Sequence, residues 1–370
     1  MMKGMTMMSK KQVVVAMSGG VDSSVAAYFL KKQGYDVIGI TMRIWQDEDS
    51  CDIEARGGCC GTEAVEDARK VAAALNIPFY VLNLQAEFKE KVIDYFVREY
   101  SLGRTPNPCI ACNRYIKWES LLSKALSLGA GYIATGHYAD IVQMENSRLS
   151  IKMDLDNPKD QSYALYNLTQ HQLSHTLMPL KNMRKDEIRE IAGKLGLGTA
   201  DKPDSQEICF IPDDDYGAFL EKSGGISITP GDFIDEAGKI IGKHKGFIYY
   251  TIGQRKGLGA FGKPMFVKHI NTADNAVMLS DNEGVFAKGL IATDVSFMGI
   301  PGLDKNMQIE ALGKIRYAHK AAKCIITVKD DKIICDFEQK QRAITPGQSA
   351  VFYDFEGRII CGGVVDFVID

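Results

Sequence analysis

Two sets of residues in this chain have the types and spacing to do chemistry. The first is Ser18-Gly19-Gly20-Val21-Asp22-Ser23-Ser24, which follows an apolar run, Gln12–Ala16. Adjacent glycines let the backbone turn tightly and approach a ligand with no side chain in the way. The amides that open a following helix, with the hydroxyls of Ser18, Ser23 and Ser24, make a nest of donors for an anion. No lysine stands where the G-x-x-x-x-G-K-[ST] loop needs one to reach a terminal phosphate. The loop therefore suits the pyrophosphate that departs when an ATP gives up its AMP.

The second set is sulfur. Cys109 and Cys112 lie in Pro106-Asn107-Pro108-Cys109-Ile110-Ala111-Cys112-Asn113, and Cys209 follows the acidic stretch Asp204-Ser205-Gln206-Glu207-Ile208. Two prolines exclude a helix interior, so the first pair reads as displayed on a stiff surface loop. Zinc would need two further ligands, and no second C-x-x-C accompanies the first; His171 and His175 stand in another setting. A redox dithiol expects a thioredoxin-like context, which this stretch lacks. The neighbours of Cys209 give its thiol no local help toward the thiolate, so a helix terminus or the nucleotide site must supply it. Cys51, Cys59 and Cys60, within Asp47–Gly61, read as part of a mobile lid loop, since adjacent cysteines do not easily ligate one tetrahedral zinc. Cys324, Cys335 and Cys361 fall in strand-like segments and read as core.

To position these groups, the first 200 residues alternate strand-like and helix-like segments. Strands are expected at Val13–Ala16, Tyr35–Arg43, Phe79–Leu84 and Tyr132–Thr135, and helices at Asp22–Gln33, Thr62–Asn76, Ala86–Tyr100 and Tyr115–Leu128. Such alternation implies a doubly wound parallel sheet, whose ligands sit beyond the carboxyl ends of its strands. Met42 and Gly136 close two of those strands and should lie near a nucleotide held at Ser18–Ser23. From about Ile226 short strands broken by glycines take over. The expected division is an N-terminal α/β domain over 1–210, a β-rich central domain over 211–285, and a small β-barrel over 286–370 with a hairpin about Asp330-Asp331.

The chain has 370 residues, 45% hydrophobic and 25% charged, which suits a soluble protein of two or three domains. No apolar stretch reaches the length of a membrane span, and Met1–Lys11 lacks the apolar centre of a secretory signal. A cytoplasmic location is expected, where the nine cysteines would serve as thiols, ligands or catalytic groups. A net charge of −3 argues against indiscriminate nucleic-acid binding. Yet Gly238–Lys268 holds seven Lys or Arg and no acid, interleaved with Phe247, Tyr249, Tyr250, Phe261 and Phe266. That mix suits phosphates and unpaired bases. Lys314, Arg316, His319, Lys320 and Lys323, with Tyr317 among them, form a second such cluster.

Ser18-Gly19-Gly20-Val21-Asp22-Ser23 resembles the PP-loop of ATP pyrophosphatases, enzymes that adenylate a carbonyl oxygen. Further blocks extend the likeness: Thr105–Asn113, Gly136-His137-Tyr138, Lys159-Asp160-Gln161-Ser162-Tyr163, Cys209-Phe210-Ile211, Gly253-Gln254-Arg255-Lys256-Gly257-Leu258-Gly259 and Thr345-Pro346-Gly347-Gln348. Together they resemble the tRNA 2-thiouridylase family over essentially the whole chain. The resemblance implies an adenine-nucleotide alpha-hydrolase-like first domain using ATP with Mg²⁺. It implies nucleotide contacts from Ala16, Met17, Ser18, Gly19, Gly20, Val21, Asp22, Ser23, Met42 and Gly136. The implied reaction adenylates the C2 oxygen of the wobble uridine. Sulfur arrives as a persulfide on Cys209, with Cys112 the nucleophile that ends in a disulfide with it.

The anticodon arm of tRNA would be met by Asn107, Pro108, Cys109, His137, Lys159, Asp160, Gln161, Arg316, Tyr317 and Gln348. A persulfide-donating sulfur carrier protein is the implied second partner, and no oligomer is required. One position departs from part of the family: Cys109 stands where some members carry Asp, a candidate general base. Proton transfer would then fall to water, to His137 or to Cys109 itself. The extra thiol also allows a rival, in which Cys109, Cys112 and Cys209 hold an iron–sulfur cluster. Other readings of the residues are a lysidine-type ligase or amidotransferase synthetase, or a non-catalytic RNA-binding redox sensor.

Overall fold

The computed structural model describes residues 11–45, 62–202, 208–211, 215–224, 228–302 and 307–370. The apolar run forms β1 (Gln12–Ala16), which pairs in parallel with β2 (Asp36–Arg43) on one side and β4 (Tyr132–Ala134) on the other. β3 (Phe79–Asn83) extends the sheet beyond β2. A hairpin of β5 (Asp140–Gln143) and β6 (Leu149–Lys152) leaves it after β4, and β7 (Thr176–Leu177) returns to pair with β4. The result is an all-parallel sheet in the order β3-β2-β1-β4-β7. Val13 and Val15 face one side, where α1 (Val21–Lys32) and α2 (Thr62–Ala74) cover them. Val14 and Ala16 face the other, in a core with Trp118 and Leu121. Burial on both faces is why this strand reads as an unbroken apolar run.

The helix expected over Ala86–Tyr100 is one continuous run of Gln85–Phe88, Lys89–Ile93 and Asp94–Ser101, with the middle stretch wound one residue wider per turn. The next run begins earlier than expected. It opens as Pro108–Ala111 and continues through Cys112–Leu121 and Leu122–Ser127. The cysteine pair is therefore on a helix start and not on a surface loop. Pro108 occupies the first helical position, where its missing N–H costs nothing, so proline here begins a helix instead of forbidding one.

The central sheet comprises β8 (Gly231–Ile234), β9 (Ile240–His244), β10 (Phe266–Asn271) and β11 (Ala276–Ser280), in the order β10-β11-β8-β9. β12 (Phe286–Phe297), β13 (Gln308–Lys314), β14 (Ala322–Lys329), β15 (Lys332–Arg342), β16 (Ser349–Tyr353) and β17 (Ile359–Ile369) close a barrel. Asp330 and Asp331 both take positive φ, 51° and 59°, the twist a two-residue hairpin requires. Cys324, Cys335 and Cys361 are buried in the barrel core, as expected, and burial pushes the Cys335 and Cys361 thiols up.

The barrel is docked on the first domain. Val351, Tyr353 and Ile359 share one core with Val14 and Trp118, and the Tyr163 hydroxyl donates to the Ser349 carbonyl (2.7 Å). Cys51, Cys59 and Cys60, expected in a lid loop, lie outside the described residues. Among the described residues no helix is long and apolar enough to cross a membrane.

Candidate active site

The anion nest sits where β1 ends and α1 begins. Ser23 Oγ accepts from the Ser18 amide (3.2 Å) and lies 3.4 Å from Ser18 Oγ, while the Ser23 and Ser24 hydroxyls both donate to the Gly20 carbonyl (3.2 and 2.8 Å). Gly19 has φ +70°, and a Cβ there would fall inside contact distance of the Ala64 carbonyl oxygen and 2.9 Å from its Cα. At Gly136 a Cβ would lie 2.8 Å from the Ser23 amide nitrogen. Both glycines are thus needed for close backbone approach, and Gly136 lies against the nest as its place at the end of β4 predicts. Met42, near the end of β2, packs against the cores on both sides of this edge.

Asp22 is held from two sides. Tyr138 donates its hydroxyl to Oδ1 (2.6 Å), and Lys185 Nζ reaches Oδ1 and Oδ2 at 2.9 and 2.7 Å. Lys185 escaped the sequence reading because 163 residues separate it from its partner. A signal existed: it is the first residue of the helix Lys185–Lys194, where the helix dipole disfavours a cation. Such a residue needs an anion close by.

The segments that carry Cys112 and Cys209 meet one apolar cluster at the same edge of the sheet. Ile44 and Leu84, just past the ends of β2 and β3, belong to an apolar cluster with Phe88, Phe96, Phe210 and Phe219. Phe210 meets Phe88, Phe96 and Phe219 at ring-centroid distances of 5.6, 5.5 and 5.2 Å. Cys112 and Ile208 both pack on this cluster, and Cys209, exposed, lies on the turn that follows Ile208. Asn107 caps that helix, its Oδ1 accepting from the Cys109 and Ile110 amides (3.1 and 3.3 Å). Among the described residues no three His, Cys, Asp or Glu side chains form a group that could hold a metal ion. Cys109, Cys112 and Cys209 are thus not drawn together as a three-ligand group in this arrangement.

A cleft of about 760 Å³ opens where the three sheets' domains meet. The first domain contributes Asn107, Pro108 and Cys109, the central region Lys245, Tyr249, Thr251 and Gln254, and the barrel Gln348. Four of the residues expected at RNA are thereby brought together with the basic, aromatic window. The others are spread. Tyr317 is exposed on the barrel, its ring 6.4 Å from that of Tyr163, and Lys314 Nζ lies over both rings. Arg316 donates to the Arg342 carbonyl (2.9 Å). Gln161 Oε1 accepts from the Tyr138 amide (3.0 Å), tying the segment of Lys159 to the Gly136–Tyr138 turn. Asp160 is buried, which raises its pKa; Ser162 Oγ (2.6 Å) and the Asp154 amide (3.0 Å) donate to it and oppose that rise. His137 is buried against Trp118, with Nδ1 2.7 Å from Thr135 Oγ1. Burial, and then the nearby Lys117, hold its pKa well below the ordinary imidazole value, so the ring stays neutral.

Comparison with known proteins agrees with this architecture. Residues 11–213 match a family described as tRNA methyl transferase HUP domain, 217–281 its PRC-barrel domain, and 287–365 an aminomethyltransferase beta-barrel domain. The tRNA-specific 2-thiouridylase MnmA of Lachnoclostridium phytofermentans is 57% identical over 355 residues, covering 95% of this chain and 98% of that protein. Its namesake from Clostridioides difficile is 55% identical over 360 residues, covering 96% and 98%. The one from Clostridium perfringens is 52% identical over 364 residues, covering 98% and 100%. Identity above one half across nearly the full length of both partners means that this chain belongs to the tRNA-specific 2-thiouridylase MnmA family.

Proposed function

We propose that the chain catalyses ATP-dependent 2-thiolation of the wobble uridine in tRNA, in keeping with the name its relatives carry. One observation supports this above the rest: the anion nest at Ser18–Ser23 and the segments bearing Cys112 and Cys209 share the carboxyl edge of one parallel sheet. In this reading ATP enters as its magnesium complex, with the Asp22 carboxylate, held by Tyr138 and Lys185, beside the nest. Ala16, Met17, Ser18, Gly19, Gly20, Val21, Ser23, Met42 and Gly136 line the nucleotide. The uridine leaves its stack, which costs a few kcal/mol and is cheapest in a single-stranded loop. Its O2 attacks the α-phosphorus and pyrophosphate departs into the nest.

A persulfide on Cys209, charged by a sulfur carrier protein, attacks C2 through its terminal sulfur, and AMP leaves with the electron pair of the C2–O bond. The Cys112 thiolate then attacks Cys209 Sγ. The sulfur–sulfur bond breaks, its pair stays with the sulfur on C2 as the thiocarbonyl, and a Cys112–Cys209 disulfide remains for a thiol reductant to open. Holding these reactants in line can account for roughly 7–11 kcal/mol of the barrier. His137, buried and neutral, stands beside the base in the form that can accept a proton, so water, His137 or Cys109 takes it.

The anticodon arm would lie over Asn107, Pro108 and Cys109 in the cleft, with Lys159, Asp160, Gln161, Arg316, Tyr317 and Gln348 along its path. The units 1–210, 211–285 and 286–370 would act together in the cytoplasm, with no oligomer required. The test is mass spectrometry of tRNA incubated with ATP, Mg²⁺ and a persulfide donor, using wild type beside Cys112→Ala and Cys209→Ala. Wild type should gain one sulfur per tRNA and both variants none. Thiolation by either variant at the wild-type rate would overturn the mechanism.

A further inference from the structure

The residues just ahead of the Asn107 cap are fastened to both of the other domains. Arg104 donates through Nε to Glu99 Oε2 (2.8 Å), through Nη1 to Asp366 Oδ1 (2.8 Å) and through Nη2 to the Val365 carbonyl (3.1 Å). Glu99 belongs to the helical run before the loop, whereas Val365 and Asp366 belong to β17. The Thr105 amide donates to the Pro346 carbonyl (2.9 Å), the Thr105 carbonyl accepts from Gln348 Nε2 (2.8 Å), and its hydroxyl lies 3.2 Å from that of Thr251. Gly347 makes this approach feasible: its φ is +91°, and a Cβ there would lie 2.9 Å from both the nitrogen and the carbonyl carbon of Thr105. Between Thr105 and Cys109 stand Pro106 and Pro108, whose rings fix φ. A displacement at Thr105 therefore passes to the helix start instead of being absorbed by the loop.

We infer that Arg104 and Gly347 are positioning residues for the sulfur chemistry: by gripping the Thr105 backbone, the barrel sets where Cys109 and Cys112 stand. The inference rests on the sulfur-transfer reading above. Neither residue lines the cleft, so both act through Thr105 and not by touching RNA. It also gives Gln348 a second duty, since its side-chain amide closes the same clamp.

The test uses the full chain with Arg104→Ala, Arg104→Lys and Gly347→Ala. Thiolation with a persulfide donor should lose at least tenfold in kcat in Arg104→Ala and Gly347→Ala, with KM for tRNA within threefold of wild type. Arg104→Lys keeps the charge but not the three-way fork and should recover part of the loss. A second readout needs no turnover: iodoacetamide labelling of Cys112 relative to Cys209, followed by mass spectrometry, should change at least threefold. A merely structural defect would instead expose Cys335 and Cys361 of the barrel core along with it. Wild-type kcat, or an unchanged Cys112-to-Cys209 labelling ratio in the folded variants, overturns the inference. Failure of the wild type to make thiouridine refutes the activity and leaves the labelling ratio to decide the clamp.

Discussion

Gly19→Ala offers the sharpest probe of the nucleotide loop. At φ +70° an alanine sits in the left-handed region, which costs roughly 1–2 kcal/mol. Its Cβ would also press on the backbone of Ala64 in α2, and overpacking against atoms that cannot rotate away adds about 1–3 kcal/mol. If the loop keeps its shape, the sum of about 2–5 kcal/mol appears as lost stability. If it relaxes, the nest is the part that moves, and the binding-competent fraction falls by the same energy. Apparent Kd then rises roughly 30-fold at the lower bound and by roughly 5,000-fold at the upper. Calorimetric titration with Mg²⁺ and a non-hydrolysable ATP analogue, beside a thermal melt, separates the two cases. Gly34→Ala is the control, because φ there is +89° yet a Cβ would meet nothing within 4 Å. It should cost about 1 kcal/mol of stability and leave nucleotide affinity alone. Affinity and melting temperature both unchanged in Gly19→Ala would refute the claim that this close approach shapes the site.

Lys185→Met removes the cation that bridges both oxygens of Asp22 and leaves, among the described residues, the Tyr138 hydroxyl on that carboxylate. Because the Asp22 side chain is 30% exposed, a loss of about 1–2 kcal/mol is expected, below the cost of breaking a fully buried pair. A double-mutant cycle with Asp22→Asn should return a coupling of about 1 kcal/mol, and strict additivity would show that the pair does not interact. His137 makes stability depend on pH. Burial holds its folded pKa below the unfolded value of about 6.5, so the neutral ring stabilises the fold above that pH. That contribution is lost as pH falls from about 6.5 toward the folded value. Urea midpoints measured between pH 7.5 and 5 should fall more steeply in wild type than in His137→Gln, and parallel slopes would contradict the burial argument.

Much of the architecture was legible in the chain because its signals are local. Val13–Ala16 is apolar throughout since both faces of β1 are covered, and Gly34 marks the end of α1 because a left-handed residue closes it. Asp330-Asp331 locates its hairpin by the same logic. The loop expected at Cys109 and Cys112 was a misreading of proline: Pro108 stands at the first helical position, and Asn107, two residues before Cys109, was the cap that announced it. The short strands β5, β6 and β7 left too few residues for a period to register.

From the sequence alone came the candidate reactive groups, the order of the α/β, central β-rich and barrel parts, and the alternation that builds a parallel sheet. Only the tertiary structure brought Lys185 to Asp22, Phe210 to the cluster beneath Cys112, and Pro346 and Gln348 to Thr105. Backbone conformation is written by neighbours a few residues apart. Pairings across 163 or 243 residues depend on how separate layers pack, and composition carries no trace of that until the layers meet.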